Sequence, residues 1–293
     1  MSHLSARHFA YLVAMNVVWG FNVIACKIGV GHFPPLFFTV LRFGGLGIAL
    51  LPFLRWHPGV MQRLLVAAAL SGSLQYALWF WGLGLSEHVG SAAIATQLNV
   101  PFTTLMSILF LGEVVHWRRG LGITLAFAGV AVILFNPGGL GSRTGIALIV
   151  GSTLAGSLGL VAIKSLGERL KPFELQAWFA WSSLPVLGLL SLALESGQAA
   201  SLATATARDW GVLAFATIPA SLIALTGYYW MVARYPVSAV APVTLLYPLF
   251  SVLFGVWLLG EQLTLRIVIG GLMTLGGVLI IALRQRELGP APA

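Results

Sequence analysis

Uninterrupted apolar runs of about twenty residues, parted by charged or Pro/Gly-rich points, set the rhythm of this chain. A helix needs about 20 apolar residues to cross the hydrocarbon core of a bilayer. Ten runs of that length can be marked, at roughly 9–30, 36–54, 64–85, 89–111, 117–135, 145–166, 173–194, 210–233, 237–259 and 265–283. They are continuously apolar rather than alternating, which disfavours a transmembrane β-barrel. The first run is long, lacks an A-x-A cleavage site and is followed by nine more, so it reads as a helix rather than a secretory signal. Connections are short except 195–209 (ESGQAASLATATARD), which is polar and rich in small residues.

Composition agrees with this pattern. Of 293 residues, 58% are hydrophobic and 8% charged, and the mean hydropathy is +0.94. A soluble domain carries about 25% charged residues, and eight acids with sixteen bases cannot cover a water-facing surface of this size. Disorder is excluded by the same apolar content. The net charge of +8 does not imply nucleic acid, because the densest basic cluster is the pair Arg118–Arg119 and membrane proteins collect Lys and Arg on their cytoplasmic side. With the N-terminus inside, ten bases fall on the cytoplasmic side and three (Arg143, Arg208, Arg266) outside, so both termini are expected in the cytoplasm. One cysteine, Cys26, excludes internal disulfides and a Cys-based metal cage.

An internal repeat organises the runs. At a shift of 148 residues, 89–135 aligns with 237–283 without a gap; the matches include Thr96/Thr244, Phe102/Phe250, Leu111-Gly112-Glu113/Leu259-Gly260-Glu261, Gly122/Gly270 and Gly129/Gly277. At a shift of 137, Lys27 pairs with Lys164 and Pro35 with Pro172. The unit is five spans used twice, over 1–140 and 141–293. Five is odd, so the second copy must cross the membrane in the opposite sense. Inverted repeats of this kind underlie many secondary transporters, with the substrate at the repeat interface near the midplane. The expected fold is therefore an all-α membrane protein of ten transmembrane helices in two inverted five-helix repeats.

Several short motifs recur on this layout: Trp19-Gly20-x-Asn22 followed by Lys27, Pro34-Pro35 with Arg42-Phe43, Pro101 with the 111–113 turn, and their echo at Tyr247-Pro248 and 259–261. On these residues the chain resembles the drug/metabolite transporter superfamily in its EamA-type branch, across nearly its whole length. The aromatic-rich spans are most similar to bacterial exporters of amino acids, aromatic ones included. The second copy departs from the pattern: it reads Gly156-Ser157-Leu158-Gly159 in place of the Trp-Gly-x-Asn element, and has Phe179 where the first has Arg42. A symmetric site is not expected.

Chemistry is sparse. No HExxH or GxSxG occurs, so a membrane metalloprotease or hydrolase lacks its groups. All eight acids fall at span ends, connections or the tail, leaving no seat for carboxylate-based ion coupling. Glu113 and Glu261 follow a Gly and are expected to cap the next helix N-terminus. Arg42 lies about two turns into its span, too deep for comfortable snorkelling; it either satisfies backbone carbonyls structurally or contacts substrate, and a buried charge in a bilayer is a functional candidate by default. Lys27 and Lys164 either snorkel to headgroups or gate the two mouths. Candidate substrate contacts are Trp19, Asn22, Arg42, Gln75, Tyr76, Trp79, Gln97, Asn99, Trp178, Tyr228 and Tyr247. An aromatic cavity with a few amides suits an amphipathic small molecule, though each amide could equally be helix–helix glue. Pro101 and Pro248 occupy nearly matched places in spans four and nine and are expected as paired kinks or hinges.

The reading is a secondary transporter in the cell (inner) membrane, without a cofactor, exporting amino acids or similar small amphipathic metabolites by alternating access, as uniport or exchange. A phosphorylated-metabolite or multidrug carrier is the alternative within transport; an intramembrane enzyme or a channel is the alternative outside it.

Overall fold

The computed structural model describes residues 5–111, 117–134, 140–164, 166, 170–235, 240 and 243–285. Every regular element among them is helical. Helix α1 (Ala6–His32) starts at Ser5, whose hydroxyl accepts from the His8 N–H, and stops at Phe33 before Pro34-Pro35. Proline cannot continue a helix but suits its first turn, so Pro35 opens α2 (Pro35–Ala49). Then come α3 (Met61–Leu85), α4 (Val89–Thr96), α5 (Asn99–Leu111), α6 (Trp117–Leu134), α7 (Leu140–Lys164), α8 (Pro172–Leu194) and α9 (Gln198–Thr204). Helix α10 runs from Ala207 through a π-helical stretch, Ala216–Ala224, to Arg234; α11 (Leu246–Leu259) and α12 (Leu265–Gln285) complete the order. The long 195–209 connection thus carries a short helix of its own, α9.

Among the described residues, eight helical stretches are long and apolar enough to span a bilayer, and two shorter apolar helices, Pro35–Ala49 and Leu246–Leu259, accompany them. Their outer faces are apolar as well: Leu192 is 76% exposed, Ile48 73% and Leu272 69%. In water such a surface would mark an interface; here it faces lipid.

Four of the expected continuous spans are interrupted along their length. The fourth breaks at Gln97–Leu98, between α4 and α5. Pro101 has no N–H to return to the Gln97 carbonyl, which takes the Val100 N–H instead at 3.2 Å. Leu245, 148 residues on from Gln97, is likewise a turn, with φ −66° and ψ −12° against −67° and −14° at Gln97. The third and eighth spans each contain a π-helical stretch, Ala69–Leu74 and Ala216–Ala224. Pro219 sits in the latter and removes a further ladder donor. Pro242, Glu113 and the Lys164 side chain lie outside the described residues.

Helices α6 and α12 cross with almost no space between them. A Cβ added to Gly129 would lie 2.5 Å from the Gly270 carbonyl, and one added to Gly270 the same distance from the Gly129 carbonyl. Gly122 faces the Gly277 carbonyl in the same way, and Gly277 that of Gly122. The two helices therefore run antiparallel, with Thr274 Oγ1 reaching the Ala126 carbonyl at 3.4 Å between these glycine pairs. Small residues allow this close approach in lipid, where no hydrophobic force drives helices together.

Candidate functional site

On α1, Trp19, Asn22 and Cys26 are spaced by three and four residues and share one face. Arg42 comes from the middle of α2 and is 6% exposed. Its Nη2 donates to Ser221 Oγ at 2.7 Å and its Nη1 to Cys26 Sγ at 3.7 Å, whose thiol in turn points to Asn22 Oδ1. The guanidinium lies 5.8 Å from the Tyr76 ring centre and 5.6 Å from that of Phe80, within cation–π reach. Nε has no hydrogen-bond partner among the described residues. Among the described residues no carboxylate forms an ion pair with Arg42.

The π-helical stretch of α10 supplies the opposite wall. Ser221 Oγ donates to the Ala216 carbonyl five residues back, the spacing of a π turn, and its lone pairs accept Arg42. The neighbouring Ala220 carbonyl takes the Trp19 indole N–H at 3.2 Å. Trp19 also meets Tyr228 edge-on, with ring centres 5.6 Å apart.

The aromatic lining continues along α3. Tyr76 stacks on Phe80 and Phe80 meets Trp79 edge-on. Trp79 Nε1 donates to Thr96 Oγ1 at 3.1 Å. The Tyr247 hydroxyl sits at the same turn, 3.5 Å from the Ala93 carbonyl. Next in line, Gln97 is 7% exposed, at the break between α4 and α5, and its Nε2 has no partner among the described residues. Trp19, Asn22, Arg42, Tyr76, Trp79, Tyr228 and Tyr247 thus form one connected internal set drawn from both halves of the chain, with the buried Gln97 next in sequence to its Thr96 contact.

Three expected contributors face elsewhere. The Gln75 side chain lies against Gly156 of α7. Asn99 accepts from Ser157 of α7 through both its Oδ1 and its carbonyl, at 2.9 and 3.2 Å, so it fastens α5 to α7. Trp178 donates to the Arg55 carbonyl at 2.7 Å and meets the exposed Trp56, which draws it to the end of the bundle. Lys27 does not hang free: Nζ donates to the carbonyls of Leu83, Gly84 and Ser86 at 2.9, 3.1 and 2.6 Å, closing the C-terminus of α3. Glu261 does cap a helix, but not the next one. It accepts from Val89 and Gly90 of α4, at the first turn of the fourth span. Pro101 and Pro248 are buried just past the two breaks.

Sequence reasoning passed over Cys26, Ser221 and Phe80 as contacts of Arg42. Cys26 is one turn beyond Asn22 and Phe80 one turn beyond Tyr76, so helical spacing was available as a signal. Ser221 had a weaker one, a hydroxyl two residues after an in-span proline.

A polytopic apolar bundle that keeps a cation and a set of aromatic and amide side chains in its interior, with no acid paired to that cation among the described residues, has the make-up of a membrane carrier for small molecules. The chain belongs to the EamA-like transporter family, whose model matches residues 8–135 and again 143–283, and it is a transporter rather than an enzyme. It is 28% identical over 287 residues to the "Probable amino-acid metabolite efflux pump" of Escherichia coli K12, covering 95% of this chain and 93% of that one. The protein of the same description from Salmonella typhimurium is 28% identical over 275 residues, covering 91% and 89%. The "Uncharacterized inner membrane transporter YedA" of Escherichia coli K12 is 30% identical over 268 residues, covering 87% and 84%. A solved crystal structure shares the fold with a TM-score of 0.64 at 17% identity, over 97% of this chain and 100% of the other.

Proposed function

We propose that this transporter exports amino acids, or amphipathic metabolites of similar size, by alternating access. The observation that carries the substrate class is Arg42. A guanidinium held inside an apolar bundle, with no acid paired to it among the described residues, attracts a carboxylate, the charge-assisted contact that arginine makes best. The aromatic set of Trp19, Tyr76, Trp79, Tyr228 and Tyr247 beside it suits an apolar body. The names of two relatives, amino-acid metabolite efflux pumps, point the same way.

The architecture of the proposal is ten spans in two inverted five-helix repeats, 1–140 and 141–293, with both termini cytoplasmic. Support for ten is that the two shorter apolar helices stand where the second and ninth spans are expected. Support for inversion is the reciprocity of the α6–α12 crossing. Gly122 and Gly129 are the repeat equivalents of Gly270 and Gly277, and Gly122 meets Gly277 while Gly129 meets Gly270. A contact that maps onto itself when its two partners are exchanged is the mark of a two-fold axis, and antiparallel partners place that axis in the membrane plane. The acids among the described residues stand at the ends of helices, so driving force comes from the substrate gradient, as uniport or exchange.

Counterflow in proteoliposomes tests this with labelled amino acids, a nucleotide sugar and a cationic drug, with and without pH or sodium gradients. Exchange of aromatic amino acids without a gradient is the expected result. Preferred exchange of the nucleotide sugar or the drug, flux without counterflow, or accumulation only under an ion gradient would each overturn the corresponding part.

A further inference from the structure

Helices α2 and α4 begin without caps of their own. The N-cap of α2 is Pro34, and His88 at the start of α4 makes no side-chain cap bond. The first N–H groups of a helix need acceptors, and both helices receive them from the other half of the chain. Glu195, at the end of α8, takes the Leu36 N–H on Oε1 at 2.7 Å and the Phe37 N–H on Oε2 at 3.0 Å. Ser191 Oγ steadies the same carboxylate at 2.8 Å. Glu261, just past α11, takes the Val89 N–H at 2.5 Å and the Gly90 N–H at 3.3 Å. Gly260 turns the chain back in the left-handed region, φ 68°. Gly255 leaves room for the returning carboxylate, because a Cβ there would lie 2.7 Å from Oε2.

Both clamps close the same end of the bundle, the end where Lys27 caps α3. The opposite end is held differently. His57 lies 3.5 Å from Glu174, and Trp178 holds the Arg55 carbonyl, but an apolar cleft of about 540 Å³ remains between the halves there, walled by Tyr11, Leu50, Phe53, Phe173, Leu222 and Trp230.

We propose that Glu195 and Glu261 are gating residues: helix caps lent by one repeat to the other, which latch this end shut and must release their N–H groups for it to open. The inference rests on the alternating-access reading. The two caps join α8 to α2 and α11 to α4, one partner from each repeat, and both stand at the end of the bundle away from the cleft. Hydrogen bonds to a charged acceptor are the stronger kind, so loss of both shifts the closed–open balance of this end by roughly tenfold or more.

Cys26 is the only cysteine in the chain and touches Arg42, so it reports on entry to the interior without engineering and without knowledge of the substrate. The test is the rate of modification by an anionic, membrane-impermeant methanethiosulfonate, applied from each side of sealed vesicles. Glu195→Gln with Glu261→Gln should raise labelling from the Glu195/Glu261 side about tenfold, leave labelling from the other side no faster, and shift the thermal midpoint little. Gly255→Ala, which keeps every charge but displaces the Glu261 carboxylate, should raise labelling from the same side and keeps the inference testable should the double variant fold poorly. Unchanged labelling in folded variants, or a fall in stability with no bias toward one side, overturns the gating role. Flux without counterflow in the wild type would instead count against alternating access itself, so the two failures are distinguishable.

Discussion

Arg42 and Ser221 are 179 residues apart in the chain and 2.7 Å apart in the structure, guanidinium to hydroxyl, one from each half of the protein. The bond fixes the direction of a buried cation whose other neighbours are a thiol and two aromatic faces. Ser221→Ala removes that fix and leaves the charge. A hydrogen bond to a charged group is worth about 1.5–3 kcal/mol, so the half-saturating concentration of a carboxylate substrate should rise about tenfold while maximal flux changes less. Transport kinetics in proteoliposomes read both quantities; an unchanged half-saturation value would remove Ser221 from the site.

The glycine crossing makes a symmetry prediction. Gly129→Ala and Gly270→Ala each place a Cβ 2.5 Å from the other glycine's carbonyl, and overpacking of this kind costs about 1–3 kcal/mol. The two variants should lower the thermal midpoint in detergent by similar amounts. A large loss for one and none for the other would deny the equivalence of α6 and α12.

The helix breaks make a kinetic one. Pro101 denies the Gln97 carbonyl its usual donor, and Pro248 follows the turn at Leu245. Pro101→Ala and Pro248→Ala restore that donor and straighten the spans, so they should slow transport more than they lower the yield of folded protein. Equal loss of both would make the breaks structural rather than mobile.

Much of this was legible in the sequence, for reasons particular residues make plain. Hydropathy and charge depend on composition alone, so bilayer residence and the depth of Arg42 needed no fold. The 148-residue repeat is an identity pattern, and it brought Pro101 and Pro248 to within one residue of equivalence. Side-chain direction was harder. One residue is 100° of helix, and Gln75 differs from Tyr76 by that turn: one meets Gly156, the other Arg42. The π stretches have the same apolar composition as α-helix and left no trace in hydropathy. Local spacing can propose only local partners for Glu261, such as the helix after it; its partner in the fold, Val89, lies 172 residues back.

The central claim is that Arg42 holds a substrate carboxylate, and counterflow of labelled phenylalanine in proteoliposomes tests it most directly. Unlabelled phenylalanine should compete and its decarboxylated amine, phenethylamine, should not; in Arg42→Gln that preference should disappear and phenylalanine exchange should fall at least tenfold, about 1.4 kcal/mol. Equal competition by the amine in the wild type, or full exchange in folded Arg42→Gln, would contradict it.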